Sequence, residues 1–155
     1  METIIDKSKE VRAAIWLVND KLHFMGEVEG NELVSIDYIP PLGDNLGYTS
    51  LELLLLSLSS CVGSAVLTFL RRMNRRVDGC QISCKGTRRQ EHPTGFESIR
   101  VSINIESPDV TEADMQKVIA MAEDKYCPVY SMIKGNTKVV FDYVKEVNNS
   151  IAQQN

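Results

Sequence analysis

Leu53–Leu70 reads LLLLSLSSCVGSAVLTFL, 18 residues without a charge. A run of that length is close to what spans a bilayer. It is equally what the central helix of a soluble core looks like, apolar nearly all round. Ser57, Ser59, Ser60, Ser64 and Thr68 interrupt the run, and strand-like segments flank it on both sides. These features favour a helix at the centre of a soluble core, and a membrane is not expected among the partners. The helix is expected from Ser50 to Asn74, with Ser50 as N-cap ahead of Glu52. Arg71, Arg72, Arg75 and Arg76 crowd its last turns, where they complement the helix dipole, a reading preferred to phosphate binding because the chain is acidic overall.

Working outward towards the N-terminus, Val11–Val18 and Lys21–Val28 flank Asn19-Asp20, a tight hairpin turn by its residues. Glu32–Ile39 alternates, with Val34, Ile36 and Tyr38 on one face, and reads as a third strand. Pro40-Pro41 and Gly43-Asp44-Asn45 stop it. Towards the C-terminus, Val77–Gln90 and Phe96–Glu106 form two longer strands around His92-Pro93-Thr94-Gly95. Thr111 caps a second helix whose stripe is Met115, Val118, Ile119, Ala122 and Tyr126. Pro128 disfavours helix at Cys127, which places that cysteine at the helix end. A short helical turn follows from Pro128 to Lys134, stopped by Gly135, and Thr137–Val144 is a last strand. The order is three strands, a buried helix, two strands, a helix and a strand, an α+β pattern. Its 155 residues fit one domain, expected over residues 1–147, with 148–155 as a polar tail.

A net charge of −4 gives no footprint for nucleic acid, which would be basic. The charged opening, Met1–Glu10, has no signal-peptide core, so a cytoplasmic protein is expected. In that compartment lasting disulfides are rare, and cysteines tend to be buried, metal-binding or redox-active.

The four cysteines divide by setting. Cys61 sits mid-helix, with Ser57, Ser64 and Thr68 at same-face spacings. Hydroxyls can donate to a thiolate and favour it; small side chains can equally serve only to let another element approach. Cys127 precedes a proline at a helix end, and Lys125 is close enough in sequence to favour a thiolate. Cys80 and Cys84 share a strand face with Ile82 and read as core, too far apart for CxxC metal geometry. With only His23 and His92 besides, no metal site is expected, and His23 reads as structural.

ELLLLSLSSCVGSAV (Glu52–Val66) and DKYCPVYSMIKG (Asp124–Gly135) resemble the two cysteine signatures of the OsmC/Ohr superfamily. GTRRQEHPTGFESIRVSINI between them matches in length and character, and the likeness runs from about Val11 to Val144. Its form resembles the broader OsmC-like branch rather than Ohr proper. The resemblance implies antiparallel sheets packed around two central helices in an intertwined homodimer. It also implies a peroxidase cycle for oxidative-stress defence, with Cys61 peroxidatic and Cys127 resolving. An external dithiol, a lipoylated protein or another thiol donor, would reset the pair, with no resident cofactor. Two other uses of such a chain are a carrier of a small apolar ligand and a thiol redox sensor.

Ohr-type enzymes activate the thiolate with an arginine after the first strand and a glutamate ahead of the helix. Here the corresponding turn is Val18-Asn19-Asp20-Lys21. Lys21 is the nearest cation and Arg12 the alternative, and a lysine lacks the planar fork of arginine. Glu52 lies nine residues before Cys61, about 13–14 Å and half a revolution away on a straight helix. It is therefore expected to cap the helix or reach across a dimer. Arg88, Glu91 and His92 in the hairpin follow a pattern recurrent in the same branch, with a structural role the more natural one for His92.

Overall fold

A computed structural model describes residues 7–147; the tail expected over 148–155 lies outside them. Contacts divide the chain into two units that meet between Leu53 and Leu54.

The first unit holds a three-stranded antiparallel sheet, β1 (Ala14–Leu17), β2 (Phe24–Glu27) and β3 (Val34–Ile36), in that order. The β1–β2 connection is longer than the two-residue turn read from Asn19-Asp20. Asn19 Oδ1 accepts from the backbone N–H groups of Lys21 at 3.0 Å and His23 at 3.1 Å. An Asx-type turn thus holds Val18–His23 as the loop. The third strand ends at Ile36, short of the expected Ile39, because Asp37 turns inward and is fully buried. Its carboxylate accepts from the N–H groups of Tyr38 (2.7 Å), Asp44 (3.1 Å) and Leu46 (3.1 Å). A Cβ on Gly43 would stand 2.2 Å from Asp37 Oδ1, so only glycine lets the loop close around that carboxylate. The loop delivers Thr49, the N-cap of α1 (Ser50–Arg72). Thr49 Oγ1 accepts from the Glu52 N–H, and Glu52 Oε2 accepts from the Thr49 N–H at 2.7 Å. This reciprocal pair is a capping box, and it puts the cap one residue before the expected Ser50.

In the second unit α1 buries Leu58, Val62, Ala65, Val66, Phe69 and Leu70. It stops at Asn74, whose φ of 57° lets Arg75 N–H reach Leu70 O and its own N–H reach Arg71 O. The helix is long and apolar enough to cross a membrane by composition. Its own chain does not surround it, and Leu54 and Leu56 stay 36% and 52% exposed.

The second sheet runs β4 (Gly79–Arg88), β5 (Phe96–Glu106), β6 (Lys138–Glu146). Central β5 supplies the apolar face, with Ile99, Val101, Ile103 and Ile105 at 1% exposure or less. β4 pairs antiparallel with β5, but β6 runs parallel to it, so this sheet is mixed rather than antiparallel as expected. A parallel pair needs a long crossover, and the helices between β5 and β6 supply it. At the sheet edge, β4 is only part-covered: Cys80 is exposed and Cys84 half-buried, contrary to their reading as core. Gly63 brings α1 onto this strand, since a Cβ there would meet Ile82 Cδ1 at 3.0 Å.

The crossover begins with α2 (Glu112–Met121), capped by a Thr111–Asp114 capping box. The helix then widens into a π-helical turn, Ala122–Tyr126, closed by Cys127 N–H to Ala122 O at 3.1 Å. Cys127 is extended and caps α3 (Pro128–Ile133), with Pro128 in the first turn. The architecture is α+β, with one antiparallel and one mixed sheet.

Candidate functional site

Two elements distant in sequence bring Cys61 and Cys127 together. Cys61 is half-buried at the middle of α1, and Cys127 is 2% exposed at the junction of the π-turn and α3. The two thiols are near enough to interact electrostatically. The π-turn matters locally, because one extra residue in the helical turn re-aims the residue that follows it. The break forced by Pro128 then leaves Cys127 extended, with its sulfur 3.4 Å from the Tyr130 N–H that it caps.

The Cys127 thiol is pushed up to about 12, by burial first and then by its hydrogen bond to Cys61 and the Cys61 charge. The backbone N–H groups of Tyr130 and Val129 oppose this only in part. Cys127 therefore keeps its proton at neutral pH and can donate it towards the Cys61 sulfur. The pair is thus asymmetric, with one partly accessible sulfur and one buried proton donor.

Cys61 opens on a cavity of about 550 Å³. One wall is the stripe of α1 that carries Ser57, Ser60, Cys61, Ser64 and Thr68. The opposite wall is Tyr126, Pro128 and Val129, and Phe69 and Arg72 close the far end. Phe69 and Tyr126 hold the walls together, their ring centroids 4.5 Å apart and tilted by 56°. The small residues on the helix leave room beside the sulfur.

The residues expected to support Cys61 are placed as follows. Ser57 lines the cavity, as does Ser64, but the Ser64 hydroxyl donates to Ser60 O at 2.7 Å rather than to a sulfur. In the first unit the Lys21 ammonium is paired with Asp44, and Arg12 with Glu10. Glu52 is occupied in the helix cap. The Lys125 ammonium lies 5.5 Å from the Tyr126 ring centroid and is not among the groups lining the cavity. At the hairpin, Arg88 donates to Thr94 O and Thr94 Oγ1 at 2.8 and 2.6 Å. Glu91 and His92 line a separate depression there, of about 570 Å³, with Arg89 and Phe96.

Sequence reasoning passed over Phe69, Tyr126, Val129 and Arg72 as parts of the site. Arg72 had a signal: it stands eleven residues after Cys61, about three turns of helix, and so on the same face. The stripe continues beyond Thr68 to reach it.

A family model described as "OsmC-like protein" matches residues 43–142, which include both cysteines. Protein YhfA of Escherichia coli K12 is 23% identical over 122 residues, covering 79% of this chain and 89% of that protein. The crystal structure of a hypothetical protein from Aquifex aeolicus VF5 superposes with a TM-score of 0.78 at 24% identity, covering 89% of this chain and 97% of the other. The Organic Hydroperoxide Resistance Protein OhrB of Bacillus subtilis superposes at 0.62 with 17% identity, covering 87% and 98%. At these identities the structural likenesses show a shared fold.

Proposed function

We propose that this chain, which belongs to the OsmC-like protein family, is a thiol-dependent peroxidase that reduces organic hydroperoxides. The observation that carries the reading is the nearness of Cys127 to Cys61, which itself lines a cavity. The similarity in fold to a protein named for organic hydroperoxide resistance supports it.

In this reaction the Cys61 thiolate attacks one peroxide oxygen. A sulfur–oxygen bond forms, the O–O bond breaks, and the other oxygen leaves as an alcohol after taking a proton. Cys61 is then a sulfenic acid, oxidised by two electrons. Cys127 loses its proton and attacks that sulfur; the disulfide forms and hydroxide leaves as water. An external dithiol, such as a reduced lipoyl group, returns both thiols and is itself oxidised to a disulfide. The high proton affinity of Cys127 suits a residue that acts second, because it leaves Cys61 as the sulfur that meets the peroxide.

The role is defence against peroxides in the cytoplasm, with no resident cofactor and no nucleic-acid partner. The working unit is a homodimer, a second copy covering Leu54 and Leu56, which one protomer leaves open.

The test is consumption of tert-butyl hydroperoxide and of hydrogen peroxide by the purified protein, with dithiothreitol or reduced lipoamide. The expectation is turnover, faster with the organic peroxide. No consumption of either peroxide by fully reduced protein would overturn the reading.

A further inference from the structure

Four arginines end α1 and its cap, and the structure separates them. Arg75 pairs with Asp114 at 2.8 Å and Arg76 with Asp78 at 2.7 Å. Arg71 acts electrostatically on Cys80, on the β4 side. Arg72 alone among them lines the Cys61 cavity, and among the described residues no carboxylate pairs with it. Its guanidinium carbon sits 5.4 Å from the Phe69 ring centroid, so the side chain leans back along the helix towards Cys61.

The helix rise separates the two Cα atoms by about 16 Å, and the lean brings the guanidinium to about 10–16 Å from the sulfur. The stretch between them is lined by Ala65, Thr68, Phe69, Tyr126 and Val129, with the Ser64 hydroxyl already given to the backbone. The cavity is therefore a mainly apolar trough, edged by small hydroxyl side chains, that runs from the Cys61 sulfur to an unpaired cation. Its volume of about 550 Å³ is ordinary for a small-molecule site.

We propose that Arg72 is a specificity-determining residue: it binds a carboxylate on a substrate whose reacting group lies at the opposite end of an apolar chain. This rests on the reading of the cavity as the substrate site. The guanidinium offers a planar fork that a carboxylate fills with two hydrogen bonds, and an apolar wall strengthens that pairing over its value in water. A chain of about ten carbons spans about 12 Å and fits the separation.

The experiment uses decanoate and decan-1-ol as matched probes on the full-length reduced protein, with protection of Cys61 from iodoacetamide read by mass spectrometry. Decanoate is expected to protect at a concentration at least about tenfold lower than decanol, as a charge-assisted pair requires. Arg72→Gln should remove the difference, Arg72→Lys should keep part of it, and Arg76→Gln, which is off the cavity, should leave it intact. Equal protection by acid and alcohol, or decanoate protection unchanged in Arg72→Gln, overturns the proposal. A second arm compares turnover of a decanoic acid hydroperoxide with that of its methyl ester. Charge-selective protection without turnover sinks the peroxidase and leaves Arg72 in place, whereas turnover without preference for the acid sinks Arg72 alone. The circular dichroism of Arg72→Gln shows whether α1 is intact, and Arg72→Lys preserves the test if it is not.

Discussion

The four cysteines form two sets that differ in how the fold places their sulfurs. Cys61 and Cys127 stand 66 positions apart in sequence, yet the fold brings their thiols near enough to interact, beside a cavity that Cys61 lines. Cys80 and Cys84 are neighbours on one strand, yet an extended chain holds residues four apart at about 13 Å, too far to pair. Cys84 even has the better-placed hydroxyl, Ser59 Oγ at 3.0 Å, while the hydroxyl of Ser64 beside Cys61 is spent on the backbone. A serine beside a cysteine therefore does not identify the reactive sulfur. In the proposed reaction, the nearby second thiol and the open cavity are what single out Cys61.

The largest expected effect is on the paired set. Cys61→Ser should lower peroxide turnover by about three orders of magnitude or more, as loss of a nucleophile does. Cys127→Ser should still consume one equivalent of peroxide and then hold Cys61 as a sulfenic acid, seen by dimedone labelling. Cys84→Ala should change turnover less than about twofold, and a larger loss would erase the contrast between the two sets.

A second expectation concerns pH. Cys127 titrates near 12 in the folded protein, through burial first and then its contact with Cys61, against about 8.5 for a free thiol. Between those values the unfolded chain binds fewer protons than the folded one, so stability falls as pH rises from about 9 towards 12. Denaturant midpoints of wild type should drop over that window, and those of Cys127→Ala should drop less. Equal slopes would show that burial does not hold the Cys127 proton.

The smallest effects belong to the serines. Ser64→Ala should leave kcat/KM within about twofold, because that hydroxyl donates to the Ser60 carbonyl. Ser59→Ala should cost about 0.5–1.5 kcal/mol of stability through its lost hydrogen bonds, with turnover unchanged. Chemical denaturation and initial rates separate the two.

Much of the fold was legible because long periodic segments announce themselves. The Leu53–Leu70 run located α1, the period of two in Ile99, Val101, Ile103 and Ile105 located β5, and Thr111 and Gly135 marked helix ends. The direction of β6 was not legible, because alternation along a strand does not say which way its neighbour runs. Nor was the Asp37 loop, where a buried carboxylate gathers three N–H groups from residues up to nine positions away. Cys80 misled because the period of two names a face, whereas burial also depends on whether the strand is central or at the edge. In the site, the cysteines stood out through the resemblance of their flanking segments. The π-turn that aims Cys127 left no mark in the pattern. Arg72 carried a readable spacing that the helix-dipole account of the arginine cluster covered over.

The central claim is that chemistry belongs to the convergent pair, and one measurement addresses it most directly. Reduced protein is treated with one equivalent of tert-butyl hydroperoxide, the remaining thiols are alkylated, and the peptides are mapped by mass spectrometry without reduction. The account predicts stoichiometric loss of peroxide, a disulfide joining Cys61 to Cys127, and alkylated Cys80 and Cys84. A disulfide that includes Cys80 or Cys84, or peroxide left unconsumed with all four thiols alkylated, would contradict it.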